Sequence, residues 1–164
     1  MTSDPSATGF ALAPVENVRR ALLAAGVADT VAVFDDSVPT AEAAAATLGC
    51  PVGAIANSLV FVCGGEPLLI LASGAARVDV KLTARLNGLP AIKRAAADFV
   101  LEHTGQEVGG VAPLGHPAPL RTLLDTSLAQ YGVLWAGGGH HSAMFSIGYA
   151  DLARITGATP TQVR

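Results

Sequence analysis

Ser58-Leu59-Val60-Phe61-Val62-Cys63-Gly64-Gly65-Glu66-Pro67-Leu68-Leu69-Ile70-Leu71-Ala72 decides how the rest of this 164-residue chain is read. Two apolar runs rich in branched side chains, Ser58 to Val62 and Leu68 to Ala72, are joined around Gly64-Gly65. Adjacent glycines accept the positive φ that a tight hairpin turn demands, so the stretch predicts two antiparallel strands. Neither run alternates apolar with polar residues, the pattern of strands covered on both faces. Strands covered in this way call for helices, and the flanks supply them.

On the N-terminal side, Thr40 is placed to cap an Ala-rich helix running to Leu48, with Gly49 and Pro51 stopping it. Before it, Val31 to Phe34 reads as a short strand. Pro14 opens a helix to Ala25 with Val15, Val18, Leu22 and Leu23 apolar and Gly26 ending it. On the C-terminal side, Asp79 to Leu86 is an amphipathic pattern with Val80, Leu82 and Leu86 apolar, and Asp98 to His103 is another, closed by Gly105. Apolar segments at 120–124, 132–136 and 143–147 then alternate with turn residues before a last helix from Tyr149 to Ile155. No repeat and no interior linker interrupts the pattern, so residues 13–164 are expected to form one α+β domain. Residues 1–12 lack periodicity and are expected to be a flexible tail.

Half the residues are hydrophobic and 14% are charged, which is a globular composition rather than a disordered one. A chain of this length buries around two thirds of its unfolded surface and needs no staples. There is no run of about 18 apolar residues and no basic N-terminal segment before an apolar one, so the expectation is a cytoplasmic protein without a membrane partner. The net charge of −3, ten basic against thirteen acidic residues, argues against a broad DNA-binding face. A small basic group, Arg77, Lys81 and Arg85 or Lys93 with Arg94, could still hold a nucleic-acid terminus, or could simply be solvated helix charge.

Cys50 and Cys63 are the only cysteines, form no CxxC, and are read as small buried hydrophobes. His140-His141, read as strand neighbours, point to opposite faces and cannot chelate one metal, and no HExxH occurs, so no metal site and no cofactor are expected. No GxSxG elbow surrounds a serine, and the Gly137-Gly138-Gly139 run lacks the lysine and hydroxyl of a phosphate-binding loop.

What remains is Val108-Gly109-Gly110-Val111-Ala112-Pro113-Leu114-Gly115-His116-Pro117, three glycines and two prolines in ten residues. Glycine lets a ligand approach backbone N–H groups while proline stiffens the loop, an arrangement suited to a carboxylate, a phosphate or a developing oxyanion, though a surface turn has the same composition. His116 could donate a proton beside the loop or cap it, and the cap is the preferred reading.

Gly109 to Pro113 reads Gly-x-x-x-Pro, and in this the chain resembles the YbaK/prolyl-tRNA-synthetase-associated (ProX-like) family of trans-acting aminoacyl-tRNA deacylases. Ile55 to Phe61 resembles the family's Lys-(Thr/Ser)-Leu-(Val/Ile)-Phe strand, Leu68 to Gly74 the strand paired with it, and Leu120 to Asp125 and Val133 to Phe145 the closing strands. The resemblance spans about residues 31–160 and implies a mixed, partly barrel-like sheet surrounded by helices. It implies hydrolysis of mischarged tRNA, first of all tRNA for proline carrying Ala, Cys or another small residue. The loop backbone at Gly109, Gly110, Val111, Ala112 and Pro113 would hold the ester, with water attacking with help from the terminal ribose hydroxyl. Asn57, Ser58, Ser73, Gly74, Arg77, Gly115 and His116 would contact the substrate. The implied partners are the aminoacyl-tRNA acceptor end and prolyl-tRNA synthetase. The chain departs from the family at Asn57, where lysine is usual: the amide keeps a donor and an acceptor but loses the charge. Arg77 is the candidate replacement cation, and a non-catalytic module that binds aminoacyl-tRNA ends or small carboxylates is the alternative.

Overall fold

Two glycines in the left-handed region, Gly64 at φ 60° and Gly65 at φ 80°, turn the expected hairpin between β2 (Ile55–Cys63) and β3 (Glu66–Ser73). The computed structural model describes residues 13–35, 37–38 and 40–164, and the expected tail over 1–12 lies outside them. Around the hairpin lie α1 (Ala13–Ala24), β1 (Ala32–Val33), α2 (Ala41–Leu48), α3 (Val80–Asn87), β4 (Ile92–Arg94) and α4 (Ala97–Thr104). After them come β5 (Arg121–Asp125), β6 (Leu134–Gly137), β7 (Ala143–Ile147), α5 (Tyr149–Thr156) and β8 (Thr159–Thr161).

Capping sets the helix limits where the sequence places them. The Thr40 side chain accepts from Ala43 N–H at 3.1 Å, and Asp79 accepts from Leu82 N–H at 3.0 Å. The apolar stripes are narrower than expected: Leu23 is 61% exposed and Leu86 51%, while α3 buries Thr83 and Ala84 instead. Thr83 can be buried because its hydroxyl donates to the Asp79 carbonyl at 2.8 Å.

Alternation along β3 explains its unbroken apolar run. Leu69 and Leu71 enter a core with Val18, Leu22, Leu124, Leu134 and Phe145, while Leu68, Ile70 and Ala72 enter a second with Ala84, Ile92 and Leu123. Both faces are therefore covered, and each fully buried leucine or isoleucine contributes about 1.5–3 kcal/mol.

The sheet has eight strands in the order β1-β7-β6-β2-β3-β5-β8, with β4 added to β2. It is mixed: β2 with β6, β3 with β5 and β5 with β8 are parallel, the remaining pairs antiparallel. Strand β2 is the pivot. One edge pairs with β3 from Ala56↔Ser73 to Cys63↔Glu66. The other edge is shared, with β6 at Ile55 and Ala56 and β4 at Phe61 to Cys63. Between them Asn57, Ser58, Leu59 and Val60 have no strand neighbour on that edge among the described residues.

Candidate active site

The open stretch of β2 is one wall of a cleft of about 700 Å³. Val108, Gly109 and Val111 face it from the glycine loop, Gly74 and Arg77 from the segment after β3, Arg94 from β4 and His140 from the β6–β7 turn. The inner wall, Val38, Ala41, Ala44, Ile55 and Met144, is apolar and made of small or unbranched side chains except for Val38 and Ile55.

Hydrogen bonding inside the loop selects its usable donors. Gly110 N–H donates to the Glu107 carbonyl at 3.0 Å, Ala112 N–H donates to Gln106 Oε1 at 2.7 Å, and Pro113 has no N–H. No described residue accepts from Gly109 or Val111 N–H, and these two line the cleft. The five-residue loop thus leaves two donors unpartnered rather than a continuous row. Gly110 lies behind them: a β-carbon there would sit 2.5–2.7 Å from the His140 carbonyl carbon, His140 Cα and His141 N. Its carbonyl accepts from Gly139 N–H at 2.9 Å, which locks the loop to the turn.

That turn carries a group the sequence reading did not place here. His140 and His141 sit in a turn, not a strand, with ring centroids 4.0 Å apart. Ser142 N–H donates to His140 Nδ1 at 3.1 Å, which leaves Nε2 as the protonated nitrogen of the neutral ring. Burial and the neighbouring His141 push the His140 pKa below the ordinary histidine value, against a smaller opposite pull from Glu107. The cleft therefore contains a neutral imidazole with one donor. A glycine-rich run before a histidine was the available signal, and it was read only against phosphate and metal chemistry.

Of the other expected contact residues, Asn57, Ser58, Gly74 and Arg77 line the cleft. Ser58 Oγ is buried and has no hydrogen-bond partner among the described residues. Ser73, Gly115 and His116 do not line it. Ser73 is 3% exposed, its hydroxyl donating to the Gly53 carbonyl at 2.7 Å and its N–H to Asp125 Oδ2 at 2.9 Å, so its polar groups are spent behind the wall. Gly115 and His116 line a separate depression with Asn17, Arg20 and Pro117. His116 Nε2 donates to the Ala112 carbonyl at 2.8 Å, so His116 caps the loop from behind.

Burial lowers the His116 pKa from the ordinary value, outweighing the hydrogen bond to Ala112 that raises it. The unfolded chain then takes up a proton as pH falls through about 6.5 while the folded chain does so only at lower pH, so the unfolded state binds more protons there and stability falls with falling pH. His140 acts in the same direction. Urea midpoints are expected to be lower at pH 5.5 than at 7.5, with a smaller difference in His116→Gln, which keeps a donor and cannot titrate. An unchanged difference would assign the pH dependence to other groups.

Among the cations, Arg77 and Arg94 reach the cleft and form no ion pair with a described residue, whereas Lys81, Arg85 and Lys93 lie outside its lining. Neither cysteine lines it; burial raises the Cys50 thiol pKa, and Cys63 Sγ donates to the Pro90 carbonyl at 3.5 Å. Among the described residues no three His, Cys, Asp or Glu side chains are grouped to hold a metal, and no helix is long and apolar enough to cross a membrane.

Comparison with known proteins bears on this geometry. Residues 35–155 match the family model described as an aminoacyl-tRNA editing domain. The chain is 32% identical over 127 residues to the uncharacterized protein YwhH of Bacillus subtilis (strain 168), covering 77% of this chain and 80% of that one. It is 30% identical over 132 residues to the proline–tRNA ligase of Nitratidesulfovibrio vulgaris, covering 74% of this chain but only 23% of the ligase. Among solved structures, one described as a candidate trans-editing enzyme for prolyl-tRNA synthetase superposes with a TM-score of 0.86 at 35% identity over 99% of both chains. Hypothetical protein APE2540 superposes with a TM-score of 0.82 at 27% identity, over 90% of this chain and 98% of the other.

Proposed function

Because the chain belongs to the aminoacyl-tRNA editing domain family, we propose that it is a trans-acting deacylase that hydrolyses the ester of mischarged tRNA, first of all tRNA for proline carrying Ala, Cys or a similar small residue. The observation that carries this reading is the pair of unpartnered N–H groups, Gly109 and Val111, at the edge of the cleft left open by β2. Two such donors suit the oxygen of an ester carbonyl as it becomes an oxyanion. Water adds to the carbonyl carbon, the carbon–oxygen bond to the ribose breaks, and the proton lost by water ends on the departing ribose oxygen, with the adjacent ribose hydroxyl assisting. An aminoacyl ester is already activated, so placement and oriented donors suffice without a side-chain nucleophile. His140 offers a third donor to the same ester.

The apolar inner wall would receive the amino-acid side chain. One methylene there is worth about 1–3 kcal/mol, so the wall selects by size with limited sharpness. Charge for the tRNA end comes from Arg77 and Arg94, since Asn57 supplies none. Arg77→Ala is expected to raise KM about 3- to 10-fold and to flatten its salt dependence, with kcat nearly unchanged; an unaltered KM and salt response would remove Arg77 from this role.

Asn57 favours a second reading, a module that binds aminoacyl-tRNA ends or small carboxylates without turnover. The deciding experiment is release of amino acid from tRNA for proline charged with Pro, Ala, Cys or Ser, with Asn57→Lys alongside. Release of one noncognate residue with Pro spared supports the deacylase. Absence of release at high protein concentration, with binding of a non-hydrolysable aminoacyl-adenosine, supports the binding module. Co-purification with prolyl-tRNA synthetase would test the protein partner.

A further inference from the structure

We propose that Gln106 is a positioning residue that sets which N–H groups the loop turns to the cleft; this rests on the reading of Gly109 and Val111 as the ester-holding pair. Gln106 is 1% exposed, although it lies in a connecting segment, and it lies outside the cleft lining. Its backbone is tied to the end of α4: Gln106 N–H donates to Thr104 Oγ1 at 3.0 Å, and Thr104 Oγ1 reaches the Val100 carbonyl at 2.7 Å. From that anchor its side-chain amide spans the loop. Oε1 accepts from Ala112 N–H at 2.7 Å and Nε2 donates to the Leu114 carbonyl at 3.4 Å.

The peptide units at Ala112 are consequently held at both ends, N–H by Gln106 and C=O by His116. Ala112 is 0% exposed, so water cannot replace a lost acceptor there. Without Gln106 the loop must turn Ala112 N–H toward another acceptor. Rotating that peptide also rotates its neighbour, Val111, and pulls a donor away from the cleft. A buried glutamine whose amide bonds both sides of one loop is costly to keep unless that loop must hold a single geometry.

The test combines amide exchange with kinetics on the wild-type protein and Gln106→Met, which keeps the length and loses the amide. In wild type, Ala112 N–H is expected to exchange at least about tenfold more slowly than Gly109 and Val111 N–H. Equal exchange at the three positions overturns the proposal, whether or not the variant folds. In Gln106→Met, Ala112 protection should vanish and the Gly109 and Val111 amide resonances should no longer shift with 3′-alanylamino-3′-deoxyadenosine. Turnover of Ala-tRNA for proline should then fall roughly 10- to 100-fold in kcat with KM within threefold. A folded variant with wild-type analogue shifts and kcat within threefold overturns the proposal. Should the wild type hydrolyse nothing, the deacylase reading fails, and the exchange pattern and analogue shifts still decide the role of Gln106.

Discussion

Replacing Gly110 by alanine is expected to reduce deacylation roughly 100- to 1,000-fold in a protein that still folds. The added carbon would meet the His140 carbonyl carbon at 2.5 Å and His140 Cα and His141 N at 2.7 Å, all backbone atoms with no rotamer to escape by. The loop must then lift from the Gly138–His141 turn, which breaks the 2.9 Å bond from Gly139 N–H to the Gly110 carbonyl and carries Val111 with it. Loss of one oriented donor costs about 10²–10³ in rate, and a displacement of about 1 Å costs about 10². Gly110, Val111 and Ala112 are buried, so some loss of stability accompanies the shift, and it is read separately from the loss of rate. Single-turnover hydrolysis of Ala-tRNA for proline beside a thermal melt checks this. A rate within threefold of wild type would show that the ester is held elsewhere.

Asp125→Ala is expected to have the largest effect on stability. Asp125 ends β5 at 3% exposure, with Oδ2 accepting from Ser73 N–H and Oδ1 from Ser127 N–H, each at 2.9 Å. One carboxylate thus joins the end of β3 to the start of the short 3-10 helix Thr126–Gln130. Alanine leaves both donors unmet, at about 1–3 kcal/mol each. At this chain length each kcal/mol lowers Tm by about 2–4 °C, so a fall on the order of 4–24 °C follows. Asp125→Asn keeps one acceptor oxygen and should lose roughly half as much. A Tm within 2 °C of wild type for Asp125→Ala would mean that solvent satisfies both donors.

Local signals carried much of the fold. The β2–β3 hairpin, the Thr40 cap, the helix opening at Asp79 and the last helix all lie where glycine, capping residue and periodicity place them. Strands β4 and β8 escaped because three residues cannot display a period, and Pro160 within β8 argues against a strand except at a sheet edge, where β8 lies. The candidate cleft was legible in part. Asn57, Ser58, Gly74, Arg77, Gly109 and Val111 do share one cleft. The errors arise where adjacency in sequence stood in for adjacency in space. Ser73 and Gly74 are neighbours, yet one faces Asp125 and the other the cleft; His116 follows the loop directly but turns back to Ala112, while His140 arrives from a remote turn. Gln106 gave no signal at all, since its importance lies in which peptide it bonds.

The interruption in β2 pairing also bears on edge-to-edge association between copies of this chain. A bare strand edge is a template for an incoming chain, and proteins with such edges tend to aggregate. Among the described residues this bare edge is only four residues long, Asn57 to Val60, about 13 Å at strand spacing, and β6 and β4 stand at its two ends as stops. A foreign strand would need to bend into the gap and out again within that length. The opening is therefore large enough for a compact solute and too short to seed a fibril, so variants that erode β4 carry a risk beyond lost activity: a longer bare edge on which molecules can polymerise.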